Sequence, residues 1–169
     1  GITSIACGDD YSLAIKDYST VWAWGNNVWG QLGDGTTNYT NVPVQVSSLS
    51  GIIAIEGGDR HSLFLKNDGT AWACGLNVFG QLGNGNNTQS SLPVQVSNLS
   101  GVISIAAGTH HSLAVKNDGT VWACGENQFG QLGDGTTNPR LTPVLLSSLT
   151  GIIAIAGGAG TTGGGDRPG

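Results

Sequence analysis

Short apolar runs bounded by glycine alternate with longer polar stretches along the whole chain. The β-branched run Gly51-Ile52-Ile53-Ala54-Ile55 ends at Gly57-Gly58, and its length and flanks predict a buried strand. Residues 61–66 predict a second strand. The turn Asn67-Asp68-Gly69-Thr70 predicts a hairpin, because its glycine can adopt the left-handed backbone conformation. Residues 71–75 are then the third strand, antiparallel to the second.

The segment 76–92 has no periodic pattern and predicts a long loop packed by its own side chains. Phe79 and Leu82 are its expected anchors. Residues 93–96 alternate apolar and polar positions and predict a fourth strand. Proline at position 93 is tolerated at the first position of a strand or on an edge strand.

The same pattern recurs every 50 residues without insertion or deletion. Matching positions are Trp22, Trp72 and Trp122; Gln31, Gln81 and Gln131; Pro43, Pro93 and Pro143; and Gly1, Gly51, Gly101 and Gly151. A period of roughly 20 to 50 residues is typical of solenoids and propellers. Four short strands per unit and no amphipathic helix favour an all-β fold of four-stranded antiparallel β-propeller blades. A β-solenoid is the alternative, although its coils usually need fewer residues and no hairpin.

The period divides the chain into repeats at 1–50, 51–100 and 101–150. Residues 151–158 are expected to be the first strand of a fourth repeat, and residues 159–169 a glycine-rich tail. Three repeats leave apolar faces open, which predicts either a fragment of a longer array or chains that assemble head-to-tail. The absence of methionine also suggests a mature product or a piece of something longer.

Composition narrows the function. Charged residues make up 10% of the 169 positions, the net charge is −5, and the six basic residues are scattered, so nucleic-acid binding is not expected. No apolar run approaches the ~18 residues of a membrane span, so membrane insertion is not expected either. Cys74 and Cys124 share a repeat position with Trp24, which indicates buried packing rather than a reactive thiol. Cys7 occupies a position filled elsewhere by glycine or alanine, which indicates a tight space.

One segment of each repeat also carries a family resemblance. His111-Ser112-Leu113-Ala114-Val115-Lys116-Asn117-Asp118-Gly119-Thr120-Val121-Trp122-Ala123-Cys124-Gly125, followed by Gly130-Gln131-Leu132-Gly133, resembles the repeats of the regulator of chromosome condensation family. The resemblance implies a propeller of four-stranded blades, seven in a closed ring, of which three repeats form an incomplete ring. The first repeat departs from the pattern at Tyr11 and at Tyr18-Ser19, which replaces Asp-Gly in the hairpin and predicts a looser or different turn.

The polar residues that repeat are interpreted as structural. His61 and His111 share a repeat position and are expected to hold a loop by an internal hydrogen bond, as Tyr11 could. Gly133-Asp134-Gly135-Thr136 is similar to a calcium loop but lacks the run of oxygen ligands, so a turn-stabilising role is favoured. No arrangement for nucleophilic catalysis, metal binding or cofactor binding stands out, so the segment is predicted not to be an enzyme.

Positions that differ between repeats are the predicted partner-binding residues. After the first strand the copies read Asp9-Asp10, Asp59-Arg60, Thr109-His110 and Ala159-Gly160, while Glu56 replaces alanine and is expected to point a carboxylate towards the central channel. A second variable patch covers residues 38–41, 88–91 and 138–141. Tyr39 and Arg140 are its candidate contact residues.

The sequence therefore predicts a non-catalytic module for protein interaction or scaffolding, whose partner is another protein or a neighbouring copy of the same chain. The family resemblance implies an alternative, guanine-nucleotide exchange on a small GTPase. Carbohydrate binding by tryptophan is disfavoured, because Trp22, Trp72 and Trp122 lie in the predicted blade core. The compartment stays open, although loops rich in Asn, Thr and Gly favour a bacterial secreted or surface protein over a nuclear regulator.

Overall fold

Three four-stranded antiparallel sheets follow one another along the chain in the computed structural model, which describes residues 1–17 and 19–158. In each sheet the strands lie side by side in chain order, which confirms the all-β, propeller-blade prediction. The strands are β1 (Ile2–Cys7), β2 (Tyr11–Lys16), β3 (Thr20–Gly25), β4 (Thr40–Gln45), β5 (Ile52–Gly57), β6 (His61–Lys66), β7 (Ala71–Gly75), β8 (Ser90–Gln95), β9 (Val102–Ala107), β10 (His111–Lys116), β11 (Val121–Gly125) and β12 (Arg140–Leu145).

The first strands of neighbouring sheets, β1 with β5 and β5 with β9, contact one another and so lie nearest the axis of the array. The hydrophobic core lies between sheets, because strand alternation gives each sheet two apolar faces. Leu13, Ile15 and Val21 of the first sheet pack against Ile55 and Phe64 of the second in one buried cluster. The second and third sheets repeat this packing in a second cluster. Each such side chain contributes about 1.5–3 kcal/mol when fully buried.

The repeated tryptophans lie at the edges of these cores. Trp72 and Trp122 are partly buried and pack against the first and second clusters. The Trp72 indole N–H donates to Thr70 Oγ1 over 3.1 Å, and the Lys66 ammonium lies 5.8 Å from the ring centroid. The tryptophan is thus covered on the outside by its own hairpin, as its place in the repeat core predicts.

The fourth strand begins earlier than the sequence predicts. β8 runs over Ser90–Gln95, so Pro93 lies inside it rather than at its start. The strand is the outermost of its sheet and pairs only with β7, so the missing N–H of proline leaves no ladder bond unmade on the open side. A register shift between Ala73 and Gly75 accommodates the earlier start.

The long loop after the third strand is anchored mainly by buried amides. The Asn77 side chain accepts a hydrogen bond from the Leu82 amide over 2.9 Å and donates to the Asn86 carbonyl over 2.9 Å. Gln81 accepts from the Phe79 amide at 3.0 Å. Leu82 is fully buried, as predicted, and Phe79 is partly buried. Asparagine and glutamine supply the hydrogen bonds that hold the loop, because each side chain carries both a donor and an acceptor.

The first hairpin uses a different turn, as the sequence predicts. Gly69 and Gly119 have φ of 78° in the second and third hairpins, whereas in the first Asp17 takes the positive φ, at 51°. Among the residues that the structure describes, the buried Trp22 indole N–H of this hairpin has no hydrogen-bond partner. Tyr18 lies outside the described residues.

Residues 151–158 continue beyond the third sheet. Ile152 and Ile155 pack against the third buried cluster, and the Ile152 amide donates to the Gly119 carbonyl over 3.2 Å. Expected as the first strand of a fourth repeat, this segment is not part of a sheet within the described residues. The predicted tail at 159–169 lies outside them. Over the ranges described, no helix is long and apolar enough to cross a membrane.

Candidate functional site

The variable loops between the first and second strands of each sheet share one surface with the start of the long loops. The Arg60 carbonyl accepts a hydrogen bond from the Leu76 amide at 2.9 Å, and the His110 carbonyl accepts one from the Glu126 amide at 2.9 Å. The Asp10 carbonyl accepts the equivalent bond at 2.8 Å in the first sheet. These bonds use only the main chain, so the side chains can differ between repeats while the loop path stays the same. We call this surface, formed by residues 9–10, 59–60 and 109–110 with Trp29 and Phe79, the loop face.

At the first junction on the loop face, a cation covers an aromatic ring. The Arg60 guanidinium lies 6.0 Å from the Trp29 ring centroid, and its Nε is 3.4 Å from Asp59 Oδ2. Arg60 belongs to the second sheet and Trp29 to the long loop of the first, so this contact bridges two blades. Beside it is a cleft of about 220 Å³ that Asp9 and Asp10 also line. Arg60 and Trp29 are residue types that supply much of the binding energy at protein interfaces.

At the second junction, His110 occupies the place of Arg60. Its ring lies 5.4 Å from the ring of Phe79, which holds the position of Trp29. His110 Nε2 is 3.5 Å from Asp59 Oδ2, and Nδ1 is 3.4 Å from Glu126 Oε2. The two carboxylates therefore flank opposite edges of one imidazole, a geometry suited to an ion pair. Among the described residues there is no group of three or more His, Cys, Asp or Glu placed to hold a metal ion.

The structure brings together most of the sequence-predicted contact residues. Asp9, Asp10, Asp59, Arg60 and His110 all lie on the loop face. The neighbouring Thr109 carbonyl accepts a long bond, 3.4 Å, from the amide of Asp59.

The remaining candidates lie elsewhere. Glu56 is half-buried on β5, and burial raises the pKa of its carboxyl group. Tyr39 is 80% exposed just before β4, on the outer part of the first sheet. Arg140 pairs with Asp134 over 2.6 Å within its own blade. Hydrogen bonds from Thr136, with those from Arg140 and Asn127, lower the pKa of Asp134 to about 2.

Sequence reasoning missed the aromatic members of the loop face. Trp29, Phe79 and Phe129 occupy one repeat position, and Phe129 is 85% exposed. An aromatic residue in every repeat predicts a buried anchor, but repetition alone does not distinguish a buried ring from one that stacks against a neighbour on the surface. The available signal was the variation of Arg60 and His110, which are the residues that cover these rings.

Beneath the loop face, the repeated histidine links two sheets. His61 Nε2 lies 3.0 Å from Ser112 Oγ in the next sheet, and that hydroxyl donates to the Gln81 carbonyl over 2.7 Å. Because the serine proton is used, Nε2 carries a hydrogen and donates. Burial lowers the pKa of His61 to about 3, so its ring is neutral. His61 thus has the structural role that the sequence predicts, but it is linked to Gln81 of the long loop indirectly, through Ser112 of the next sheet.

Tyr11 takes the same place in the first sheet. Its hydroxyl lies 3.1 Å from Ser62 Oγ, and Ser62 donates to the Gln31 carbonyl over 2.6 Å. Both rings are accommodated by a glycine three residues earlier, since a Cβ at Gly58 would lie 2.3 Å from His61 Cε1. The buried thiols of Cys74 and Cys124 lie close by, and burial raises the pKa of Cys124 to about 12. These cysteines are packing residues, as predicted.

Family models match the chain over most of its length. Two models, each described as the regulator of chromosome condensation (RCC1) repeat, match three copies apiece, one at residues 19–65, 68–115 and 118–163 and the other at 2–31, 52–81 and 102–131. The chain belongs to the RCC1 repeat family.

Relatives of known identity share this RCC1 repeat. The human E3 ubiquitin-protein ligase HERC2 is 40% identical over 53 residues, which is 30% of this chain and 1% of HERC2. The structure of yeast RCC1 (Prp20) bound to Kap60 superimposes with a TM-score of 0.82 at 27% identity, covering 94% of this chain and 40% of that one. A structure of Prp20p from Saccharomyces cerevisiae, described with its binding to Gsp1p and histones, gives 0.78 at 25% identity, with 86% and 38% covered. The chain thus spans well under half of these relatives.

Proposed function

We propose that this chain is a non-catalytic RCC1-repeat module that binds a protein partner through the loop face. The observation that supports the proposal is the contrast between main chain and side chain at positions 60 and 110. Both carbonyls accept the same bond at 2.9 Å, yet one position presents a guanidinium and the other an imidazole. A loop whose path is fixed while its side chains differ is suited to recognition.

The chemistry of the loop face suits a protein partner. Val28 and Val78 are 58% and 52% exposed beside the aromatic rings, while Asp9, Asp10 and Arg60 supply charge around the first cleft. Exposed apolar side chains with an arginine and a tryptophan among carboxylates resemble the core and rim of protein interfaces.

The named relatives are consistent with this class of function. Prp20 is described with binding to Kap60, Gsp1p and histones, all of them proteins. Guanine-nucleotide exchange on a small GTPase is the alternative that the family allows. Binding without catalysis is the function proposed, because the features of the loop face are those of a contact surface.

The experiment compares two variants that each remove one cation from one tryptophan. Arg60→Ala uncovers Trp29 on the loop face, and Lys66→Ala uncovers Trp72 at the opposite end of the same strand, where the ring lies 5.8 Å away. The immobilised chain and both variants are exposed to an extract of the source cells, and the retained proteins are quantified. The proposal expects a protein that the unchanged chain and Lys66→Ala retain and Arg60→Ala loses. Equal retention by both variants contradicts it.

The alternative function needs its own measurement. Small GTPases loaded with fluorescent GDP are mixed with the purified chain and excess GTP. Faster release of the labelled nucleotide would replace the proposed function with nucleotide exchange, whereas binding of a partner with no change in release supports a non-catalytic module.

A further inference from the structure

The cleft at the first junction of the loop face has an excess of negative charge. Asp9, Asp10 and Asp59 contribute three carboxylates to its lining, and Arg60 contributes one guanidinium. The guanidinium is already engaged, because it lies over the ring of Trp29 and its Nε is 3.4 Å from Asp59 Oδ2. Two negative charges of the lining are left unbalanced by the lining itself, which favours a cationic ligand.

One of these carboxylates also lacks a hydrogen-bond donor. The Asp59 side chain is 9% exposed, and its buried Oδ2 accepts no hydrogen bond within the described residues. Arg60 Nε at 3.4 Å and His110 Nε2 at 3.5 Å lie within ion-pair range, but neither contact is a hydrogen bond. Buried polar atoms are normally hydrogen-bonded, so this oxygen indicates a donor that a ligand brings.

The walls of the cleft are held in place by buried and local hydrogen bonds. Gln31 is 1% exposed, and its side-chain oxygen accepts from the Trp29 amide over 3.0 Å. The Asn26 side-chain oxygen accepts from the Val28 amide over 3.0 Å. Trp29 and Val28 thus form a fixed apolar wall beside the carboxylates. The volume of about 220 Å³ is below the ~300 Å³ at which small-molecule pockets begin, so the cleft suits one long side chain.

The second junction is built on the same repeat positions but has different chemistry. Thr109 stands there in the place of Asp59, and Arg60 in the place of Asp10, so two of the three carboxylates are missing. The third position holds Asp59, which already lies 3.5 Å from His110 of the next blade. The acidic cleft is therefore a property of the first junction and not of the repeat.

We propose that a lysine or arginine side chain of the protein partner enters this cleft, where the three carboxylates hold its cation and Trp29 packs against its aliphatic stem. Both side chains carry donors and no acceptor, which suits oxygens that only accept, and both can bury the stem while the charged end stays with polar groups. The inference rests on the proposed function, because it names the chemistry of the partner that the loop face binds.

An NMR titration measures the affinity of the cleft for one basic side chain. The probe is N-acetylarginine methylamide, and the signal is the indole N–H of Trp29. The matched ligand is the citrulline counterpart, which has the same shape but an uncharged urea group. The arginine probe is expected to give a saturable shift and to bind roughly tenfold more tightly than the citrulline one, because its hydrogen bonds to carboxylates are charge-assisted. No shift, or equal affinity for the two ligands, overturns the proposal.

Two variants locate the binding in the cleft. Asp9→Asn and Asp59→Asn each remove one negative charge with little change in shape, and each should weaken binding of the arginine probe about threefold or more. Asp9→Asn carries the test if Asp59→Asn disturbs the contacts with Arg60 and His110. Glu126→Gln is the matched control, because it neutralises a carboxylate at the second junction, and it should bind the probe like the unchanged chain. Equal affinities of Asp9→Asn and Glu126→Gln overturn the proposal.

The same variants separate this inference from the proposed function. A protein that the unchanged chain and Glu126→Gln retain from the extract, and that Asp9→Asn loses, supports both. A protein that Arg60→Ala loses and Asp9→Asn retains supports the loop face but overturns the basic side chain in the cleft. Binding of the arginine probe with no retained protein contradicts the proposed function, and with it the partner, although the cleft would still bind a basic group.

Discussion

Replacing Ser112 by alanine tests the link between sheets most directly. The Ser112 hydroxyl is buried, accepts from His61 Nε2 at 3.0 Å and donates to the Gln81 carbonyl at 2.7 Å. Alanine removes both hydrogen bonds, because its methyl side chain has no polar atom to replace the hydroxyl. The second nitrogen of His61 is already buried and has no hydrogen-bond partner within the described residues, so no other hydrogen bond of the ring compensates.

The cost follows from the two groups that lose their partners. A buried donor or acceptor left unsatisfied costs about 1–3 kcal/mol, so the loss of the imidazole N–H partner alone should cost about that much. The Gln81 carbonyl, which keeps only a long contact from the Cys124 thiol over 3.8 Å, adds to this cost. Ser12 provides the matched control, because it occupies the same position in the first sheet but makes no side-chain hydrogen bond within the described residues. Ser12→Ala should change stability by less than about 0.5 kcal/mol.

Urea unfolding followed by tryptophan fluorescence measures the difference between the two variants. Because neighbouring repeats can unfold separately, amide hydrogen exchange is measured as well. The Leu82 amide, next to the orphaned carbonyl, should exchange about thirtyfold faster or more in Ser112→Ala, which corresponds to a loss of about 2 kcal/mol. If Ser112→Ala and Ser12→Ala unfold at the same urea concentration and exchange at equal rates, the hydrogen-bonded link does not stabilise the junction.

Three further outcomes are expected. Gly58→Ala should destabilise strongly, by about 3 kcal/mol or more, because its Cβ would lie 2.3 Å from a buried ring carbon. Gly158→Ala, at a position where no described residue comes within 4 Å, should be neutral in thermal unfolding. The pKa of His61 is lowered to about 3 in the folded chain, so the unfolded chain binds a proton at higher pH than the folded one; its contribution to stability is full above pH ~6.5 and falls by about 1.4 kcal/mol per pH unit as the pH drops towards 3. His61→Tyr, which introduces the residue found in the first repeat, should reduce this pH dependence in urea titrations at several pH values. An unchanged dependence would assign it to other groups. Replacing Tyr18-Ser19 by Asp-Gly should stabilise the chain by about 0.5–1 kcal/mol in the same assay, because it restores the turn of the other two hairpins; a loss of stability would show that the first hairpin is adapted to its own turn.

The blade could be predicted from the sequence because each of its strands is specified locally. The run at 52–55, the strand at 61–66 and the Asn-Asp-Gly turn each carry their own signal, and recurrence at 50 residues removed the ambiguity of each copy. The start of β8 could not be predicted, because residues 90–92 show no alternation of apolar and polar positions. Ser90 joins the sheet through its main-chain pairing with Gly75, which leaves little trace in the sequence.

Only some residues of the candidate site could be predicted from the sequence, for a related reason. Variation between repeats identified Arg60 and His110, since a position that differs in an otherwise constant unit is free of the common packing. It could not identify Trp29 and Phe79, because their contacts lie 31 residues further along the chain, in the next blade. Contacts between repeats are set by the rotation from blade to blade, and that rotation is a property of the packed cores rather than of any local pattern.

Three consecutive residues show how the repeat places a variable surface position next to two buried, hydrogen-bonded ones. Arg60 extends over Trp29 on the loop face, His61 reaches forward to the next sheet, and Ser62 donates back to the Gln31 carbonyl of the preceding blade. The two buried positions are tied to neighbours on opposite sides, so a residue that cannot make the same hydrogen bond there leaves a buried polar group without a partner. The hydrogen bond that fixes the loop path at position 60 uses the carbonyl, which every residue possesses. Substitution there therefore changes the side chain on the loop face at little cost in folding, which accounts for the differences between the repeats one residue before the most constrained pair in the blade.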